Sequence, residues 1–222
     1  MPKKKSPDRI KIAKRLAQEL QDRQVVNLGV GIPTLVPDYI EEGKQVFLQS
    51  ENGLLGMGPT PPEDELDMDL ISASKQPITM QSGASLFDSA DSFVMIRGGH
   101  IDVAVLGALQ VDETGEIANW AVPGQQILGV GGAMDLVAGA NKIILALTHQ
   151  SKDGEPKLVK KLTYPSSGIR KANLVVTEKA VFEFKDGIMY LIELDPALTV
   201  EELRKITEAE FKVSPTLSVN YK

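Results

Sequence analysis

At 222 residues, 42% hydrophobic and 24% charged, the chain has the make-up of a soluble globular protein, long enough for one α/β domain with a full core. A net charge of −6 argues against general affinity for nucleic acid or anionic membrane, and the lack of cysteine excludes disulfides, thiolate nucleophiles and cysteine metal sites. The two histidines, His100 and His149, cannot build a histidine-rich metal site by themselves, so no metal is expected.

Lys3-Lys4-Lys5 is followed by no apolar run of signal-peptide type, and no apolar stretch approaches the length of a membrane span. The expected location is the cytoplasm. Ala13, Leu16, Ala17 and Leu20 recur at helical spacing between about Pro7 and Gln21, opposite Lys11, Lys14, Arg15 and Glu19, which predicts an amphipathic surface helix after a frayed end at residues 1–7. Gln24 to Leu28 reads as the first strand, with polar Asn27 near its end. It enters Gly29-Val30-Gly31-Ile32-Pro33-Thr34, where Pro33 suits a helix start and the helix runs to about Glu42 unless Pro37 breaks it. As a dinucleotide fingerprint this loop fails, because the third glycine position is Thr34, and it has no P-loop lysine.

Val46-Phe47-Leu48 reads as a short buried strand, followed by Gln49-Ser50-Glu51-Asn52-Gly53-Leu54-Leu55-Gly56-Met57-Gly58. Three glycines in six residues predict a flexible turn, and a carboxylate held where a buried strand gives way to such a turn sits at the ligand-binding edge of an open α/β sheet. The competing reading of Glu51 is a solvated loop glutamate. Thr60 to Asp67 is an acidic, proline-rich surface loop. A short strand or two is expected around Ile78-Thr79-Met80, then a helix from Ser85 to Ile96 with Leu86, Phe87, Ala90, Val94 and Phe93 inward.

Arg97-Gly98-Gly99-His100 closes that helix, with His100 a cap or local hydrogen-bonding residue, and Ile101 to Leu106 is a fully buried strand. Ala108–Val111 and Ile117–Trp120 form a hairpin, and the cluster Gly129-Val130-Gly131-Gly132-Ala133 opens a further helix. Gly131-Gly132-Ala133 lets backbone approach a ligand closely and offers N–H donors to developing negative charge; the plainer reading is a tight turn. Lys142–Leu147, Ala172–Thr177, Val181–Phe184 and Ile188–Leu191 are strands, the last two a hairpin across Lys185-Asp186-Gly187. Thr199-Val200-Glu201-Glu202 is a capping box for the closing helix. With no repeat, linker or composition break, residues 1–222 read as one α/β domain.

Taken in order, Asn27-Leu28-Gly29-Val30-Gly31, Ser50-Glu51-Asn52-Gly53, the segment from Ile96 to Trp120, Gly131-Gly132-Ala133-Met134-Asp135-Leu136 and Val176-Thr177-Glu178 closely resemble the B (β) subunit of family I 3-oxoacid CoA-transferases over about residues 8 to 213. Two spots depart from the family pattern: Gln125, where lysine is usual, and Tyr164-Pro165-Ser166-Ser167-Gly168, where Pro-Leu-Thr is commoner. The resemblance implies an open, mixed or parallel sheet flanked by helices, a half of the CoA-transferase and ribose-phosphate-isomerase type, that pairs with a similar A subunit in a heterotetramer.

It also implies the chemistry. Glu51 would attack an acyl-CoA, pass through an anhydride and a glutamyl-CoA thioester, and hand CoA to a second acid in a ping-pong cycle. The Gly132 N–H with Ala133 and the Asn27 amide would serve oxyanions, and Gly29, Gly31 and Gly131 would line the acyl and CoA path. Coenzyme A is substrate and carrier, and no cofactor is expected. Acetoacetate, with succinate, acetate or butyrate as the other acid, is the centre of the family, and 3-oxoadipate is close to it. The alternatives are an acyl-CoA hydrolase using the same glutamate, and a sugar-phosphate isomerase or sensor of related fold, for which neither glycine loop supplies a phosphate grip.

Overall fold

In the computed structural model, residues 6–125, 127, 129–219 and 221 are described. The polypeptide opens with helix α1 (Pro7–Ala17): the Ser6 side chain accepts from the Arg9 N–H and Pro7 fills the first turn, where its missing N–H costs nothing. The fraying expected over residues 1–7 therefore does not extend to Ser6 and Pro7; residues 1–5 lie outside the described set. Ile12, Ala13, Leu16, Ala17 and Leu20 are buried as the periodicity requires. Arg15, expected on the solvated face, is buried instead. It donates through Nε and Nη2 to both Glu193 oxygens at 2.8 and 2.6 Å, and through Nη1 to Glu19.

Strands β1 (Val25–Leu28), β2 (Phe47–Ser50), β5 (Val103–Gly107), β8 (Lys142–Ala146) and β10 (Leu174–Val176) form the parallel centre of a ten-stranded sheet. Their unbroken apolar runs serve two cores. Val26, Leu48, Val105, Ile144 and Val176 pack toward α1, while Ala104, Leu106, Ile143, Leu145 and Val175 pack toward helices α2 (Ser89–Arg97) and α3 (Ala133–Gly139). The sheet is extended on one side by β3 (Leu54–Met57) and β4 (Met80–Leu86). On the other it is extended by β11 (Ala180–Lys185), β12 (Ile188–Leu194) and β13 (Lys212–Ser218), giving the order β13-β12-β11-β10-β8-β5-β1-β2-β3-β4. A small second sheet joins β6 (Gln110–Asp112), β7 (Ile117–Ala118) and β9 (Leu158–Val159). Helix α4 (Val200–Lys205) starts on the expected capping box of Thr199 and Glu202.

Three expected elements are corrected, and one strand is new. The segment after Pro33 is a 3-10 helix, Pro33–Tyr39, since Pro37 lacks the N–H that would let a regular helix continue. Leu54–Met57 is a strand rather than a flexible turn, and the Gly56 irregularity bends it against Ala84. The helix expected from Ser85 starts at Ser89 behind the Asp88 cap, with Leu86 and Val94 exposed and Ser92 and Ile96 turned inward. Its first residues belong to β4, whose run Gln81-Ser82-Gly83-Ala84-Ser85 is exposed except for half-buried Ala84 and so carries no alternation to read. Strand β13 was not anticipated either: it contains Pro215, which is tolerated because the strand is outermost.

Strands β1 and β5 are neighbours, and the chain steps outward from β1 to β2 on one side and from β5 to β8 on the other, so the crevice beyond their carboxyl ends is where open α/β sheets take ligands.

Candidate active site

The parallel register sets Asn27 beside Gln49. Side chains alternate faces along a strand, so both amides point to the α2 and α3 side, and Glu51 follows Gln49 two residues on. Asn27 Nδ2 donates to Gln49 Oε1 at 2.6 Å and to Glu51 Oε2 at 3.2 Å, and lies 3.3 Å from the Gln49 carbonyl oxygen. Gln49 Nε2 in turn donates to the Ser92 hydroxyl at 2.7 Å. Asn27, Gln49 and Ser92 are buried, Glu51 half-buried. Asn27 Oδ1 is buried with no hydrogen-bond partner among the described residues, so the amide is committed to its donor side.

The backbone around Glu51 is held from three directions. The Ser50 hydroxyl accepts from the Ala73 N–H at 2.9 Å, Asn52 Nδ2 donates to the Ile71 carbonyl at 2.8 Å, and the Gly53 N–H closes the turn on the Ser50 carbonyl at 3.0 Å. Gly53 has φ 117°, and a Cβ there would stand 1.9 Å from the Phe87 carbonyl oxygen. No other residue type fits without moving the β4–α2 junction, and the Phe87 N–H donates back to the Gly53 carbonyl.

Gly132, the residue before α3, reaches the same carboxyl end of the sheet from the helix side. A Cβ built on it would lie 3.3 Å from the Phe93 ring and 3.5 Å from Glu51 Cγ, so this glycine brings main chain directly against the glutamate side chain. Its N–H and that of Ala133 belong to the first turn, where amides have no carbonyl partner within the helix. Gly131, at φ 57°, faces open space.

The remaining glycines are placed differently. Gly29 is packed against β5: its N–H donates to the Val105 carbonyl at 2.8 Å, and a Cβ would stand 3.3 Å from that same oxygen. Gly31 lines a cavity of about 1480 Å³ on the α1 side of the sheet, with Arg9, Leu28, Thr34, Ser50 and Met57 among its walls. Gln49 and Ser50, the two residues before Glu51, are both among its walls.

Sequence reasoning missed Gln49 and Ser92. Gln49 was legible in principle, as a polar residue two before Glu51 on the same strand face. Ser92 sits in the helix whose inward face was assigned to its apolar neighbours. His100 is exposed, and its backbone N–H closes α2 on the Met95 carbonyl at 3.1 Å. The atypical loop at Tyr164–Gly168 is locked to the β7 end, with Ser167 Oγ donating to Asn119 Oδ1 at 2.7 Å and Trp120 Nε1 to the Ser166 carbonyl at 3.1 Å. In the other departure from the family pattern, Gln125 is described and Gln126 lies outside the described residues. No group of metal-ligating side chains occurs among the described residues, and no described helix is long and apolar enough to cross a membrane.

Comparison with known proteins shows the family. The chain is 50% identical over 209 residues to the B subunit of a probable succinyl-CoA:3-ketoacid coenzyme A transferase of Bacillus subtilis, covering 94% of this chain and 97% of that protein. It is 49% identical over 208 residues to the beta subunit of the acetate CoA-transferase of Escherichia coli, covering 94% and 95%. Among solved structures, the acyl-CoA transferase YdiF apoenzyme of Escherichia coli O157:H7 superposes with a TM-score of 0.75 at 25% identity, over 95% of this chain and 42% of that longer one. The coenzyme A transferase family model matches residues 9–205. With an anchored glutamate at the crevice of the sheet and relatives that it matches over nearly their whole length, this chain belongs to the coenzyme A transferase family.

Proposed function

We propose that this chain is the B-type subunit of a 3-oxoacid CoA-transferase in which Glu51 carries the CoA. The observation that supports this most directly is the Asn27–Glu51 hydrogen bond of 3.2 Å, with Gly132 main chain on the other flank of the same side chain. A carboxylate oxygen of Glu51 adds to the acyl-CoA carbonyl, the C–S bond breaks, and an acyl-glutamyl anhydride and CoA thiolate result. The thiolate then adds to Glu51 Cδ, releasing the first acid as a carboxylate and leaving a glutamyl-CoA thioester. The second acid reverses these steps with its own carboxylate and leaves as acyl-CoA. Overall one thioester is broken and one is formed, so the exchange runs with little net change in free energy.

Two kinds of oxyanion arise, one on the substrate acyl carbon and one on Glu51 Cδ. Asn27 Nδ2 already contacts a Glu51 oxygen, so it suits the second kind, a finer role than a general oxyanion donor. The Gly132 and Ala133 amides are the candidates for the first, with Gly131 leaving room for the acyl chain. Acetoacetate is the expected 3-oxo acid, with succinate or acetate as its partner, in keeping with the names of the relatives. The transferase acts in the cytoplasm as a heterotetramer with an A subunit. The half-buried Glu51 needs that second wall, because water reaching the anhydride would turn transfer into hydrolysis.

The test is to co-purify the chain with its A subunit, add acyl-CoA without acceptor, quench, and map adducts by mass spectrometry. A CoA thioester is expected on the peptide holding Glu51, absent in Glu51→Ala and absent when this chain is assayed alone. Full turnover by Glu51→Ala would overturn the mechanism, and full transfer by the isolated chain would overturn the partnership.

A further inference from the structure

We propose that Ser92 and Gln49 are positioning residues: they hold the Asn27 amide on Glu51 through the covalent states of the reaction, when Glu51 itself has lost the charge that would attract it. This rests on Glu51 being the group that carries CoA. An ionised carboxylate is a strong acceptor and draws an N–H by itself. In the anhydride and the thioester the same oxygen is a neutral carbonyl, and an asparagine amide tied only to it could turn over and present oxygen instead of nitrogen.

The geometry removes that freedom. Three acceptors converge on Asn27 Nδ2, and two of them, Gln49 Oε1 at 2.6 Å and the Gln49 carbonyl at 3.3 Å, do not change during catalysis. Turning the Asn27 amide alone would set Oδ1 against both oxygens. The Gln49 carbonyl is main chain and cannot turn, and the Gln49 side chain is tethered at 2.7 Å to Ser92, a fully buried residue on α2. The orientation is kept although it strands Asn27 Oδ1 without a partner, which a purely structural amide would avoid. Strand register supplies one half of this relay and the docking of α2 the other, so the donor is preorganised rather than recruited.

Steady-state kinetics of the assembled enzyme test this. Ser92→Ala and Gln49→Met are each expected to lower kcat about tenfold with less than twofold change in KM for the acceptor acid, and Ser92→Thr, which keeps the hydroxyl, to recover most of the loss. In an Asn27→Ala background neither change should lower kcat further, because the donor they aim is gone. If Ser92→Ala does not fold, Gln49→Met, made on the neighbouring strand, carries the same test. Unchanged kcat in the single variants, or losses that add to that of Asn27→Ala, would overturn the relay. The Glu51–CoA adduct is measured in the same samples. Its absence from the unaltered enzyme overturns the underlying reading, whereas its presence alongside unaffected variants removes the relay alone.

Discussion

Two polar clusters lie at the carboxyl ends of different parallel strands of the same sheet, and they have opposite characters. Beyond β1 and β2, Asn27 and Gln49 are buried but hold a half-exposed glutamate, and one amide oxygen is left unpaired. Beyond β8 and β10, His149 is wholly buried, and both ring nitrogens are bonded, Nδ1 to Thr177 at 3.1 Å and Nε2 to Thr207 at 2.8 Å. Glu178 accepts from the His149 N–H at 2.9 Å, and the Tyr221 hydroxyl donates to the Thr177 carbonyl. A polar residue at this edge of an α/β sheet is therefore not a functional residue by position alone. What separates the two is satisfaction: both ring nitrogens of the histidine are engaged, while among the described residues the glutamate has a hydrogen bond on Oε2 alone.

The largest expected effect breaks the first cluster. Glu51→Gln keeps size and one acceptor but removes the nucleophile, and kcat should fall at least about 10³-fold with the fold intact by circular dichroism. Normal turnover would dissolve the contrast between the clusters. Next, Asn27→Ala should lower kcat by roughly 10²–10³ with a modest change in KM, as for other lost oxyanion donors. An unchanged kcat would make Asn27 as structural as His149.

The second cluster should respond in stability. His149→Ala removes the two ring hydrogen bonds to Thr177 and Thr207 and leaves a void beside Phe182, at a cost of about 3 kcal/mol. Assayed well below the melting transition, its kcat should stay within about twofold of the parent. A kcat loss like that of Asn27→Ala would give His149 a part in the reaction.

The most gradual effect, small at neutral pH, is a pH dependence. Burial, with Lys179 nearby, pushes the His149 imidazole down to about 4. The unfolded chain takes up a proton near pH 6.5 while the folded one does not, so this residue's contribution to stability is intact above pH 6.5 and declines as pH falls toward 4. The full loss is roughly 3 kcal/mol, and denaturant melts of His149→Gln should show a shallower decline across that window than the parent. Equal slopes would remove His149 as the cause.

The parallel strands, the α1 core face, the capping box at Thr199 and the two glycine loops were determined by local sequence, since unbroken apolar runs, helical periodicity and cap chemistry act within a few residues. Glu51 and Asn27 were also legible, as polar residues at the ends of apolar strands. Local sequence failed at β4 and β13, whose polar or proline-bearing residues become strands only because a neighbour offers an unpaired edge. It failed too for Arg15, whose burial depends on Glu193, 178 positions away. The site itself was decided by tertiary structure. Parallel register brings Asn27 to Gln49 across 22 residues, and helix docking brings Ser92 to Gln49 across 43 and Gly132 to Glu51. Hydrogen bonds act over about 3 Å, so a contact between residues so far apart in sequence exists only once the sheet and its helices have closed around them.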